Sequence, residues 1–284
     1  MRYHATHITT YTYQEPVAQC LTEARLTPRA FDFQTVEFVN LDVDPPPLEL
    51  QRRRDYFGNE VTAFAIFRPH DRFVVKAESL VEVLPRPQGP LPSLSWEQAR
   101  EILAAHPDAD TLAAYEFAFA SPYIEKLPAL ADYAAPTFTP GRPLADAVLE
   151  LNHRIHTEFV YKPAATSIDM PLAEVLQLRQ GVCQDFAHIM IGALRSLRLA
   201  ARYVSGYLKS GAQYEGAEAS HAWVSVYLPG FGWLDLDPTN DVRPTDGHVT
   251  LAWGRDYGDV APLKGISLGG GGQKVAVEVR VVPA

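Results

Sequence analysis

The chain has 284 residues, of which 47% are hydrophobic and 21% charged, enough apolar surface for a sizeable core in one large or two modest domains. Its formal net charge of −9 leaves no basic surface to recommend nucleic acid or an anionic membrane as a partner. Residues 1–14 show neither the apolar stretch nor the cleavage site of a leader, and no later apolar run reaches membrane-spanning length, so the expected location is cytoplasmic.

From residue 3 to 83 the sequence runs in short stretches of β-branched and aromatic residues, such as Thr9-Thr-Tyr-Thr-Tyr13, Val61-Thr-Ala-Phe-Ala-Ile-Phe67 and Phe73-Val-Val-Lys76. Gly58-Asn59 is a good hairpin turn between two of them, and Pro45-Pro-Pro47 reads as a loop. The cluster Pro85-Arg-Pro-Gln-Gly-Pro-Leu-Pro92 breaks the pattern. It divides an antiparallel β domain, residues 1–88, from a second domain, residues 89–284. In the second, Ser95 can cap a helix running to about His106, and residues 144–159 place Val148, Leu151, Ile155 and Phe159 near helical spacing. Pro171 opens a short helix that must stop near Gly181, and a long helix follows from Cys183 to Leu199. Residues 202–208, 220–228, 233–237 and, after Gly269-Gly-Gly-Gly272, 274–282 have strand character. Helices first and sheet second make the domain α+β, and its sheet is expected to take in the C-terminal strand.

The two cysteines, Cys20 and Cys183, fall in segments of different character, which argues against a disulfide framework or a cysteine zinc cluster. His153 and His156 approach a metal spacing without a third ligand nearby, so no metal is expected. Cys183 lies on an apolar stripe with Phe186, Ala187, Met190, Leu194 and Leu197, the pattern of a buried structural thiol. It also sits in a first helical turn, where free backbone N–H groups favour an anion and can bind a developing oxyanion. A base is available in His221, which shares a strand face with Trp223, Ser225 and Tyr227. A carboxylate to orient the imidazole is offered by Asp235 or Asp237 on the next strand. His221 and Asp237 share a face only if paired residue numbers sum to an even value; a sum of 460 sets Trp223 opposite Asp237 and His221 diagonal to it.

The strings Gly181-Val-Cys-Gln-Asp-Phe-Ala-His188, Ala200-Ala-Arg-Tyr-Val-Ser-Gly-Tyr207, His221-Ala-Trp-Val and Gly232-Trp-Leu-Asp-Leu-Asp-Pro-Thr-Asn240 together resemble the bacterial transglutaminase-like superfamily. His7-Ile-Thr-Thr-Tyr-Thr-Tyr13, Arg25-Leu-Thr-Pro-Arg29 and Phe57-Gly-Asn59 resemble the β domain that precedes its core. Gly254-Arg-Asp-Tyr-Gly-Asp-Val-Ala-Pro262 resembles a later stretch to which no chemistry attaches. The resemblance implies a papain-like core of helices packed on an antiparallel sheet. It assigns the nucleophile to Cys183, the base to His221 and the orienting acid to Asp237 rather than Asp235. Ser225 departs from it, standing where many relatives carry an acid.

The implied chemistry is cysteine-dependent acyl transfer on a peptide or protein amide through a thioester, with no cofactor. Water as acceptor would make the protein an amidase or peptidase, and an amine would make it a transglutaminase. Hydrolysis is the expectation, because it needs no second substrate and a cytoplasmic cross-linker would be hazardous. Candidate oxyanion donors are the Cys183 N–H, Gln177 and Tyr161. The alternatives are a binding or structural module keeping the fold without catalysis, and arylamine acetyl transfer, which the Pro-Thr-Asn string fits less well.

Overall fold

In chain order the elements of this computed structural model are β1 (Arg2–Ala24), β2 (Gln34–Asp44), β3 (Leu50–Arg54), β4 (Glu60–Ile66), β5 (His70–Val83), α1 (Trp96–Ala105), α2 (Ala109–Tyr115), α3 (Pro128–Ala134), α4 (Leu144–Glu158), β6 (Val160–Tyr161), α5 (Leu172–Leu178), β7 (Gln180–Gly181) and α6 (Cys183–Ser196). They continue with β8 (Ala201–Leu208), β9 (His221–Leu228), β10 (Gly232–Leu236), β11 (His248–Gly254), α7 (Tyr257–Val260), β12 (Leu263–Gly269) and β13 (Gln273–Pro283). The structure describes residues 1–86, 88–211 and 214–284; Pro87, part of the proline-rich connector, lies outside them.

The first sheet is built around β1, whose 23 residues are long enough to serve two partners on each edge. Its N-terminal half lies between β5 and β13, and its C-terminal half between β4 and β12. The hairpin around Gly58 joins β3 to β4, with Gly58 at φ 75°. The last strand does not join the second sheet: β12 and β13 return to β1, so the chain's two ends share one sheet and residues 89–284 are not a self-contained domain. Strand alternation specifies which faces are apolar, but it does not specify which open edge a strand pairs with. The two units also share a core, since Tyr3, Ala5, Val81, Val83, Val279 and Val281 of the first sheet pack in one cluster with α6 and the second sheet.

The second sheet has the order β10-β9-β8-β11, all antiparallel. Against it packs α6, with α3, α4 and α5 around the helix. The sequence suggests a single apolar stripe on α6, yet twelve of its residues, Asp185, His188 and Arg195 among them, are buried. A helix enclosed by a sheet and three other helices has no solvent face, so its polar residues must find partners inside. Arg195 does so by donating to the carbonyls of Phe117, Ala201 and Arg255 and to the Ser121 hydroxyl. Ser95 caps α1 with a reciprocal bond to Gln98, and His106 ends it in the left-handed conformation.

Two buried amides join the first unit to the edge of β11. Gln34 donates to the Thr250 carbonyl (2.7 Å) and accepts from the Thr250 N–H (2.8 Å). Asn59 does the same at Trp253, at 2.9 and 3.0 Å. Each side chain completes backbone pairing that a further strand would otherwise supply. The resemblance strings around Arg29 and Asn59 thus fall at the junction: Arg29 donates to Asn59 (2.9 Å), and its guanidinium lies 3.6 Å from the centre of the Trp253 ring.

Candidate active site

The register between β9 and β10 pairs Trp233 with Tyr227 and Leu236 with Val224, a sum of 460, so Asp237 falls just past the strand, opposite Trp223 and diagonal to His221. The diagonal is closed by a hydrogen bond, His221 Nε2 to Asp237 Oδ2 at 2.9 Å. Asp237 is held in turn by backbone. Its Oδ1 accepts from the N–H groups of Thr239 (3.0 Å) and Asn240 (3.2 Å), and its Oδ2 also accepts from the Asn240 amide (2.9 Å). The loop that carries it is clamped by α4, where His156 bonds the Thr239 carbonyl and Asn152 and His153 bond Asp241. The two histidines at near-metal spacing therefore fix the loop beyond Asp237.

Cys183 opens α6, 8% exposed, with Sγ 4.0 Å from the Ser220 carbonyl, next to His221 in sequence. The helix start is braced by Asp185, which accepts from the Val182 N–H (2.8 Å) and the Thr166 hydroxyl (2.7 Å). Gly181 makes this possible, because a methyl there would sit 2.5–2.8 Å from Asp185 side-chain atoms. Burial pushes the Asp185 carboxyl up while those two donors pull it down, leaving it raised.

His221 is 1% exposed, and among the described residues its Nδ1 has no hydrogen-bond partner. Burial opposes the charged imidazole, but the Asp237 charge and the Cys183 side chain overcome it and raise its pKa to about 10. Burial likewise works to raise the Asp237 carboxyl, and His221 and His248 pull it far below the usual range. With Nε2 committed to Asp237, the ring presents Nδ1 to Cys183. Cys183, His221 and Asp237 are thus brought together, with the imidazole and carboxylate joined by a hydrogen bond in a setting that favours the charged ring.

The short parallel pair of β6 and β7 sets Tyr161 beside Gly181, two residues before Cys183. Its hydroxyl and His221 Nδ1 both face Gly216: a methyl on that residue would lie 3.3 and 3.2 Å from them. Burial first, then the charges of Cys183 and Glu215, hold the Tyr161 phenol protonated, its pKa raised to about 12. Gln177 does not join this group. It is exposed on α5 and, among the described residues, makes no hydrogen bond to Cys183, His221 or Tyr161.

Asp235 has other partners. Its carboxylate accepts from the Ser225 hydroxyl and the Trp223 indole N–H (3.2 Å) and pairs with Arg86. Ser225 belongs to that network and not to the Cys183–His221 pair. Sequence reasoning missed His248, which is buried and whose Nε2 lies 3.1 Å from the same Asp237 oxygen that His221 uses. It shares the region around Trp223, whose ring it meets edge-on at 5.2 Å. A lone histidine opening a strand carries no sequence signal for such a contact.

The profile of the transglutaminase-like superfamily matches residues 131–238, which hold Cys183, His221 and Asp237, and that of the bacterial transglutaminase-like N-terminal region matches residues 3–82. An uncharacterized protein of Mycobacterium bovis is 39% identical over 296 residues, 99% of this chain and 93% of its own length. The chain belongs to the transglutaminase-like superfamily. A protein-glutamine gamma-glutamyltransferase of Pseudomonas aeruginosa is 32% identical over 122 residues, 41% of this chain and 18% of that protein. A solved structure from Cytophaga hutchinsonii, provisionally called a cysteine protease, superposes with a TM-score of 0.77 over 99% of this chain and 90% of that one. At 22% identity it has the papain-like transglutaminase fold in common with this chain.

In this transglutaminase-like chain the Gly254–Pro262 string braces the back of α6. Asp256 caps α7 through the Gly258 N–H and accepts from the Tyr123 N–H, both at 2.9 Å. The Tyr257 N–H donates to Nε2 of His188 on α6 (3.2 Å). That bond needs a neutral imidazole, and burial with the Arg195 charge pulls the His188 pKa down to about 3.

Proposed function

We propose that the protein is a cysteine-dependent amide hydrolase acting on a peptide or protein substrate. The observation that carries this reading is the His221 ring, tied by Nε2 to Asp237 and turning toward Cys183 an Nδ1 that has no hydrogen-bond partner among the described residues. The Cys183 thiolate attacks the amide carbonyl carbon and the C–N bond breaks. The amine leaves with the proton from His221 Nδ1, and a thioester remains. Water, deprotonated by the same nitrogen, then releases the carboxylate and regenerates the thiol. The Cys183 N–H at the start of α6 and the Tyr161 hydroxyl are the oxyanion donors, and Asp237 holds the ring's tautomer.

The enclosure of the site supports water as the acceptor. Gly216 stands over His221 Nδ1 and Tyr161, so residues 214–220 must shift to admit an acyl group, and the smallest acceptor needs the least further room. The reading is tested by incubating the chain with a peptide-amide library and trapping the thioester on Cys183 by mass spectrometry, with and without a primary amine. A Cys183 adduct that decays to free carboxylate, and disappears in Cys183→Ala and His221→Ala, is the expected result. Incorporation of the amine in place of hydrolysis would make the protein a transglutaminase. No adduct, with a Cys183 thiol equally inert in the natural sequence and in His221→Ala, would reduce it to a binding module.

A further inference from the structure

We propose that the cavity between residues 31–33 and the second sheet binds a small organic monoanion, an aryl or alkyl carboxylate, on the guanidinium of Arg202. The cavity holds about 610 Å³, within the usual size of small-molecule sites, and Phe31, Phe33, Phe231 and Trp233 give it largely apolar walls. Nothing in the acyl-transfer chemistry uses it.

Arg202 points to the ligand. Its guanidinium lies over two indole rings, 4.1 Å from the centre of Trp233 and 3.9 Å from that of Trp253. Ring faces offer the cation a π surface but no hydrogen-bond acceptor in its plane, so its N–H groups still need acceptors. Among the described residues, the buried Nε has no hydrogen-bond partner and no carboxylate lies within 4 Å of the group.

The carboxylate nearest in register is already used. Across the strands Arg202 is level with Ser225, and Ser225 with Asp235. Ser225 gives its hydroxyl to Asp235, and Asp235 is taken by Arg86 and Trp223. Burial, with the nearby charges of Arg29 and Arg86, disfavours the charged form of Arg202. An unpaired guanidinium in such a place carries a desolvation cost that one carboxylate, with two oxygens for two N–H groups, removes.

The class of ligand follows from charge and walls. Among the described residues Arg202 is a cation of this lining without a carboxylate, which calls for one negative charge, and Asp32 in the lining opposes a second. Aromatic walls favour an organic body over a free inorganic ion.

The test is a titration of the full chain, followed by indole fluorescence and calorimetry, with 3-phenylpropionate, its uncharged amide and inorganic phosphate. We expect saturable binding of the carboxylate, at least about tenfold weaker binding of the amide, and no saturation by phosphate. Arg202→Gln should weaken the carboxylate by at least about tenfold. If loss of the cation prevents that variant from folding, Phe231→Glu carries the test. Phe231 is 40% exposed at the cavity wall, so a negative charge there should repel the ligand by a similar factor with an unchanged melting temperature. Equal binding of carboxylate and amide, tighter binding of phosphate, no saturation, or affinity indifferent to Phe231→Glu would each overturn the proposal.

Discussion

Every residue of β9 in the second sheet is buried, whereas β12 in the first leaves six of its seven residues exposed. The difference separates the sheet that holds the candidate site from the one that supports it. Between α6 and the first unit, β9 and its neighbours form a medium of low dielectric. There an imidazole–carboxylate pair is strong, and each polar atom needs a partner. The outer face of the first sheet meets no such demand, and so tolerates Leu21, Ile266 and Leu268 in the open. The inner face is different, since His7 of β1 is buried, bonded to Thr9 at 2.7 Å.

If burial is what distinguishes the two regions, acid should attack the buried histidines first. Burial lowers the His7 pKa to about 4, and burial with Arg195 lowers that of His188 to about 3. In the unfolded chain both would protonate near 6.5, so between there and pH 4 the unfolded state binds more protons and stability falls as pH falls. The loss is on the order of 3 kcal/mol for each residue by pH 4. His221 has the opposite sign: its stabilisation is complete below about 6.5 and is lost as pH rises through about 10. Urea midpoints from pH 7 to pH 4 should drop steeply. His188→Asn, which keeps an acceptor for the Tyr257 N–H, should flatten about half of the drop, and an unchanged slope would refute the burial argument.

The next largest effect separates the two side-chain candidates for the oxyanion. Tyr161→Phe should lower turnover about 10²-fold with little change in KM, because the phenol acts only on the developing charge. Gln177→Ala, exposed on α5, should leave turnover within about twofold. The reverse order would move the oxyanion site to the other side of Cys183.

Much of this was legible in the sequence, for reasons that differ by residue. Cys183, His221 and Asp237 could be placed because a helix start and a two-strand hairpin are local features, and the even register required for a shared face is the one the hairpin adopts. Ser95 and Gln98 announced their helix in the same local way. The return of β12 and β13 to β1 was not legible, because partner choice depends on edges more than 200 residues apart in sequence, such as Tyr3 opposite Pro283. The burial of α6 on all sides escaped for the same reason, since an apolar stripe says where one neighbour lies and not how many there are. His248 reaches Asp237 across the sheet, although β11 and β10 lie at its opposite edges, a contact that no local pattern announces.

His248 offers a finer test. As a second donor to the Asp237 oxygen it weakens that carboxylate's hold on the His221 proton and fixes its position. His248→Phe should reduce turnover about tenfold and move the alkaline limb of the rate profile upward, because Asp237 then stabilises the imidazolium alone. His248→Gln, which keeps an N–H donor, should restore most of both. A purely structural role would change the melting temperature of the Phe variant and leave its pH profile in place.

The smallest expected effect bears most directly on the contrast between the sheets. Leu236 of β10 and Leu268 of β12 are the same residue type on strands of similar length, 0% and 53% exposed. Truncating Leu236 to Ala removes methyl groups from a filled core and should cost about 2–5 kcal/mol. Truncating Leu268 removes them from a surface already in water and should cost at most about 0.5 kcal/mol in a dilute monomeric sample. A cost at Leu268 above about 1.5 kcal/mol would mean that the outer face of the first sheet is covered in solution. The open side of β12 would then be an interface, and the asymmetry drawn between the two sheets would fail on the side that now looks passive.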